Sequence, residues 1–291
     1  MSVEFHRFKV GKFDCTAVPD GTLIYGPPIF PPPAVFLFSN APAGPLEEAL
    51  RAHQLVPGQW VEWVSPYICL VVDTGRHLVL VDTGAGSLGP NTGRLVENLR
   101  AAGMAPGDID TVIITHGHPD HIGGNSGDGV EPAFREARFF MWRREWDFWM
   151  SGEAEERLDE HVREVFLGAV RRNLPPIQGR LELVEHDEEE IVPGIHAVAA
   201  AGHTPGHMAL GVASGREQLL YVSDAVVHPI HVEQPQWYAA VDFDPEQTVA
   251  SRRRLLDRAA TEKALVLAFH FPFPGLGHVV RRGEGWQWQP A

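Results

Sequence analysis

The chain has 291 residues, 44% of them hydrophobic and 21% charged, with a formal net charge of −14, which is the composition of a globular protein whose core needs no disulfide framework. The acidic balance excludes nucleic acid as a partner, because phosphate binding needs clustered Lys and Arg, and the short runs Arg143-Arg144, Arg171-Arg172 and Arg252 to Arg254 sit among acids. No stretch approaches the roughly 18 apolar residues of a bilayer span and no uninterrupted apolar leader opens the chain, so no membrane partner and a cytoplasmic location are expected, which two free thiols, Cys15 and Cys69, would suit.

In chain order, the alternation of Phe5, Phe8 and Val10 with Phe13, Cys15 and Ala17 around Gly11-Lys12 predicts a hairpin, followed by a turn at Pro19-Asp20-Gly21. Five prolines between Gly26 and Phe38 predict a stiff extended loop without helix or central strand. Leu46 to Leu55 reads as a helix, Pro66 to Val72 and His77 to Val81 as strands, Thr92 to Ala102 as a helix and Val112 to Thr115 as a short buried strand. Residues 134–175 carry Trp142, Trp146, Trp149, Leu158, Val162 and Phe166 at helical spacing and predict a helical insertion. Strands follow at Leu181 to Val184, Ile195 to Ala200, Met208 to Val212 and Leu219 to Val222. Next come a helix from Gln247 to Ala260, a buried strand from Ala264 to Phe269, and an edge at Trp286 to Trp288. A β-rich half with helices, repeated after an insertion, predicts one α/β domain over residues 1–291 with stacked sheets.

Histidine is the unusual residue, with 15 copies, and their placement carries the chemistry. Thr115-His116-Gly117-His118-Pro119-Asp120-His121 puts three imidazoles and a carboxylate at the end of an apolar strand. His116 and His118, two apart, suit one ion, while Asp120 and His121, past the proline, point to a neighbouring one. A zinc-type ion needs about four donors. Further candidates each follow an apolar run: His203 in Gly202-His203-Thr204-Pro205-Gly206-His207, Asp224 after Leu219 to Ser223, and His270 after Ala264 to Phe269.

With VDTG (Val81 to Gly84), THGHPDHIGGN (Thr115 to Asn125), GHTPGH (Gly202 to His207), SDA (Ser223 to Ala225) and the late His270 in this order, the sequence resembles the metallo-β-lactamase-fold hydrolase superfamily over roughly residues 60 to 282. The resemblance implies a four-layer αβ/βα sandwich with a dinuclear site at one edge of the sheets. It assigns His116, His118 and His203 to one metal, Asp120, His121 and His270 to the other, and Asp224 to a bridge, with Asp82 supporting a ligand histidine and His207 left to a structural role. Two divalent ions, zinc first with manganese, iron or cobalt also suited, would lower the pKa of a shared water to give a hydroxide nucleophile and polarise the substrate oxygen, with Asp120 orienting that hydroxide.

HPDHIGGN, REWDFW (Arg144 to Trp149) and HFPFPGLGHV (His270 to Val279) are similar to the branch of N-acyl-homoserine lactonases and methyl parathion hydrolase-like enzymes. That branch places a tyrosine three residues after the bridging aspartate, where this chain has Val227; His228 is a substitute donor to consider. The expected reaction is hydrolysis of small hydrophobic esters, lactones or phosphotriesters, in an apolar pocket drawn from Phe30, Phe36, Trp146, Trp149, His228, Trp237, Phe271 and Phe273. Tyr238, beside Trp237, is a further candidate. A small-molecule substrate is the expected partner, and a homodimer is an admissible assembly. Competing functions are a mono-iron sulfur dioxygenase, a glyoxalase II-like thioesterase, disfavoured by the short stretch after His270, and a metal-binding protein without turnover.

Overall fold

The computed structural model describes residues 5–127, 129–283 and 285–291. Among them two seven-stranded sheets form, each with its strands side by side in chain order. The first holds β1 (His6–Val10), β2 (Phe13–Tyr25), β3 (Trp63–Asp73), β4 (Leu78–Val81), β5 (Thr111–Ile113), β6 (Arg138–Trp142) and β7 (Leu181–Val184). The second holds β8 (Glu190–Val192), β9 (Ile195–Ala199), β10 (Met208–Ser214), β11 (Glu217–Tyr221), β12 (Leu265–Leu267), β13 (Leu276–Arg282) and β14 (Gly285–Pro290). Pairing is parallel from β4 to β7 and between β11 and β12, and antiparallel elsewhere.

The helices are α1 (Pro33–Leu37), α2 (Ala43–Ala52), α3 (Leu95–Ala101), α4 (Pro119–Ile122), α5 (Arg143–Met150), α6 (Glu153–Arg157), α7 (Glu160–Asn173), α8 (Ile230–Glu233) and α9 (Pro245–Glu262). The inner faces of the sheets share one core. In β10 and β11, Met208, Leu210, Val212, Leu219 and Tyr221 face it, whereas Ala209 and Leu220 join a second core with Leu255, Leu256 and Ala259 of α9. Strand side chains alternate between faces, so a strand with helix on one side and sheet on the other must be apolar throughout. This layering explains the unbroken hydrophobic runs and is the sandwich the resemblance implies.

Three expectations need correction. Residues 134–175 are not all helical: Arg138–Trp142 is β6, an interior strand between β5 and β7. Its apolar run Phe139-Phe140-Met141 is buried between layers, and helical spacing begins only at Arg143. The proline segment contains α1, because Pro33 sits in its first turn, where a missing N–H costs nothing. Pro19-Asp20-Gly21 is not a turn between elements but a register shift inside β2, and the Asp20 carboxylate accepts the Ala85, Gly93 and Leu95 N–H groups at 2.8, 3.0 and 2.9 Å. No helix among the described residues is long and apolar enough to cross a membrane.

Candidate metal centre

Five segments leaving strand ends converge on one edge of the sandwich. Asp82 follows β4; His116 and His118 lie beyond β5; the single turn α4, started by Pro119, carries Asp120 and His121. His203 sits between β9 and β10, Asp224 in a short turn after β11, and His270 just past β12. All seven donor side chains are buried. They fall into two groups, His116, His118, His203 and Asp224 in one and Asp120, His121 and His270 in the other, the donor atoms of each lying within 4.8 Å of one another. Asp224 stands between the groups: its Oδ2 is 3.3 Å from His203 Nε2 and 3.1 Å from His270 Nε2, and its Oδ1 is 3.2 Å from His121 Nε2.

The cluster makes little sense as a protein-only hydrogen-bond network. The Nε2 atoms of His116, His118 and His121 and Oδ1 of Asp224 are buried without a hydrogen-bond partner, the 3.2 Å approach of the last two being misaligned for one, and each such orphan costs about 1–3 kcal/mol. Cations held by the two groups would satisfy all four. The seven nitrogen and oxygen donors therefore fit divalent metal ions, which take imidazole and carboxylate ligands. Burial pushes the His116 and His118 imidazoles well below the usual histidine range, aided by neighbouring imidazoles, so each keeps a lone pair to offer. Burial acts the same way on His121 and His203, but carboxylates overcome it: Asp224, Asp82 and Asp120 hold His121 well above the ordinary value, and Asp224 and Asp242 raise His203 to about 9.

Three of the rings are held from behind. Asp82 Oδ2 lies 2.9 Å from His121 Nδ1, while Thr115 N donates to Asp82 Oδ1 at 2.8 Å. Asp242 lies 2.7 Å from His203 Nδ1, and Ser65 Oγ lies 2.8 Å from His270 Nδ1. Such outer partners fix ring orientation and tautomer. His207 occupies a structural position: its Nε2 accepts from Asp224 N at 3.1 Å, so its other nitrogen carries the proton toward Ala200 O.

Glu145 of α5 ties two donor loops together. Its Oε1 accepts from Gly117 N at 2.8 Å and Trp149 Nε1 at 2.6 Å, and its Oε2 accepts from Thr204 Oγ1 at 2.7 Å and Gly206 N at 2.9 Å. Both glycines are required for this approach. A Cβ on Gly117 would collide with the Trp149 indole, and one on Gly206 with the Glu145 backbone. Glu145, Asp242 and Ser65 do not stand out in the sequence: an acid on an Arg- and Trp-rich helix and two lone polar residues look like surface. The glycines inside HGH and TPGH were the available signal.

Above the donors opens a cavity of about 210 Å³ walled by Leu23, Ile24, Tyr25, Ile29, Phe30, Phe36, Trp63, Leu88, Val165, Phe166, Val227 and Val241, with His118, Asp120, His203, Asp224 and His270 at its base. A neighbouring hollow of about 410 Å³ shares Ile29, Phe30, Phe36, Phe166 and Val241 with it. Of the expected pocket residues only Phe30 and Phe36 are on the wall. Trp149 is turned to Glu145, and Trp146 and Phe273 pack against the main core. Phe271 is buried in the second core beside Trp288, and Trp237 in a third beside Phe38. His228 is enclosed by Phe38 and Trp60, and burial lowers its pKa to about 3. Helical spacing and nearness to His270 in sequence do not distinguish a wall from the packing behind it.

Two stacked mixed sheets with a buried His/Asp cluster of dinuclear type at one edge define a metal-dependent hydrolase. Residues 64–270 match the Metallo-beta-lactamase superfamily, and the chain belongs to that superfamily. N-acyl homoserine lactonase AiiA of Bacillus thuringiensis subsp. kurstaki is 27% identical over 237 residues, covering 74% of this chain and 84% of that protein. AidC, a dizinc quorum-quenching lactonase solved with a product, superposes with a TM-score of 0.87 at 27% identity, covering 99% of this chain and 97% of AidC. The hydrolase AbOPH of the beta lactamase superfamily gives 0.87 at 28% identity, covering 100% and 98%.

Proposed function

We propose that this enzyme hydrolyses small, uncharged, hydrophobic esters and lactones, with phosphotriesters as further substrates, in the cytoplasm and with zinc as its metal. One observation carries the reading: a seven-donor cluster with orphaned buried ring nitrogens lies at the base of a cavity whose wall is apolar. His116, His118 and His203 would hold one ion, Asp120, His121 and His270 a second, and Asp224 both. When bound, such a pair supplies a nucleophilic hydroxide at neutral pH and polarises a carbonyl or phosphoryl oxygen.

The chain's own residues do the rest. Asp82, Asp242 and Ser65 hold three of the imidazoles at fixed angles, and Glu145 holds the loops of His116, His118 and His203 together. Phe30, Phe36 and Phe166 exclude water and bind an apolar substituent. Among the described residues no Lys or Arg lines the cavity over the donors, which disfavours a phosphorylated or anionic group there. The lactonases among its relatives support the lactone and ester side of this reading.

The test pairs metal analysis with a substrate panel. Two zinc ions per chain and turnover of p-nitrophenyl esters, acyl-homoserine lactones or paraoxon-type triesters are expected. A zinc-loaded protein inactive on the whole panel, together with an Asp120→Ala variant of unchanged metal content, would sink the proposal.

A further inference from the structure

Tyr25 closes β2 where the aromatic wall meets the carboxylates. Its ring centroid lies 4.8 Å from that of Phe30, 5.5 Å from Phe36 and 5.3 Å from Trp63, and it shares the cavity with Asp120, Asp224 and His270. Its hydroxyl is 2.8 Å from the hydroxyl of Tyr67 on β3. Tyr67 is fully buried, its ring 5.5 Å from His270 and 5.7 Å from Phe269.

Two hydroxyls that share one hydrogen bond own two protons, and burial decides which proton is shared. Leaving a buried donor unsatisfied costs about 1–3 kcal/mol. Among the described residues the Tyr67 hydroxyl has only the Tyr25 oxygen as acceptor. Tyr67 therefore donates, and the Tyr25 proton is free to turn into the cavity. A phenol keeps its proton at neutral pH, so the Tyr25 hydroxyl has one to offer. Among the described residues, beyond the proposed metal donors, the cavity wall carries only the Tyr25 hydroxyl and the Trp63 indole as polar side-chain groups, and Val227 offers nothing.

We infer that Tyr25 is a catalytic hydrogen-bond donor, its hydroxyl oriented by Tyr67 toward the leaving oxygen of an ester or lactone. The inference rests on the hydrolase reading above. As the oxygen of the consumed water bonds to the acyl carbon and the acyl–oxygen bond breaks, the electron pair of the broken bond passes to the leaving oxygen, and the Tyr25 O–H stabilises the developing charge. The proton that completes the alcohol comes from the water consumed, so Tyr25 ends the turnover unchanged. An alkoxide needs this donor, whereas a nitrophenolate spreads its own charge and does not.

The experiment compares zinc-loaded wild type with Tyr25→Phe on γ-decalactone and p-nitrophenyl hexanoate, and measures calorimetric binding of 4-hydroxydecanoate and decanoate. Tyr25→Phe should lower kcat for the lactone about a hundredfold and for the nitrophenyl ester less than about threefold. It should bind 4-hydroxydecanoate about tenfold more weakly while decanoate binding stays unchanged. Tyr67→Phe, which keeps the phenol but frees its orientation, should show the same leaving-group dependence at a smaller size. Equal losses on both substrates, or an unchanged preference for the hydroxy acid, would overturn the assignment. Should wild type hydrolyse neither substrate while Tyr25→Phe still loses the hydroxy-acid preference, the donor stands and the hydrolase reading falls.

Discussion

The base and the wall of the cavity are built by opposite means. At the base, His116 and His121 are 0% exposed and Asp120, the most exposed of the seven donors, only 7%. Five of the seven are held by at least one further buried side chain or backbone group, among them Asp82, Asp242, Ser65, Thr115 and His207. On the wall, Ile24, Ile29 and Val165 are 52%, 76% and 50% exposed, and they come from the end of β2, the proline segment and α7. A buried polar cluster is over-determined because every unsatisfied group is costly. The exposed part of the apolar wall has no such constraint, so Ile24, Ile29 and Val165 can change without disturbing the chemistry beneath.

The largest effect should come from the donor between the two groups. Asp224→Ala removes the carboxylate that lies within 3.3 Å of His203, His270 and His121, so the zinc-supplemented variant should bind fewer than two ions and lose kcat/KM by about a thousandfold or more. Plasma emission analysis and initial rates check both. If Asp224→Ala kept two ions and most of its activity, the base would not be a cooperative unit. Glu145→Gln should come next. It turns an acceptor into a donor facing N–H and O–H groups, at a cost of about 2–3 kcal/mol. A Tm lower by about 5–10 °C and zinc affinity reduced by about ten- to a hundredfold are expected, read by calorimetry and chelator competition.

A third prediction uses a buried carboxylate away from the base. Burial raises Asp20 from 3.8 to about 6, outweighing the N–H groups of Gly93, Ala85, Leu95 and Arg94. A carboxyl whose pKa is raised by folding binds its proton more tightly in the folded chain, so its stabilising contribution is present below about 4 and is lost as pH rises through about 6. Two pKa units correspond to about 3 kcal/mol. The Tm difference between wild type and Asp20→Asn should therefore shift against wild type by several degrees between pH 4 and 7. A difference independent of pH would show that Asp20 stays ionised.

The contrast between base and wall also describes what the sequence discloses. His116, His118, Asp120, His121, His203, Asp224 and His270 are legible because ligand-type residues at strand ends are rare unless they meet. The strands are legible because both faces of β10 and β11 are covered along Met208 to Val212 and Leu219 to Leu220, which carry no polar side chain. Glu145 and Asp242 are not, since a buried acid inside a helix or loop is written in the same letters as a solvated one and only tertiary contact distinguishes them. The wall is least legible. Phe271 and Phe30 are both aromatics beside prolines, yet one fills a core and the other lines the cavity, because which face a loop presents is settled by the layers around it.

The smallest effect should come from the wall itself. Phe36 belongs to both hollows and stacks on Tyr25 with centroids 5.5 Å apart, so Phe36→Ala removes apolar contact from a bound acyl or alkyl chain without touching a donor. Losing part of that burial is worth about 1–2 kcal/mol, which predicts a KM about five- to thirtyfold higher for a decanoyl substrate and within about twofold of wild type for an acetyl one. Zinc content should stay at the wild-type value. A fall in kcat on both chain lengths, or loss of metal, would mean that wall and base are coupled through Tyr25, and the division between a fixed chemistry and an adjustable substrate surface would have to be redrawn at that residue.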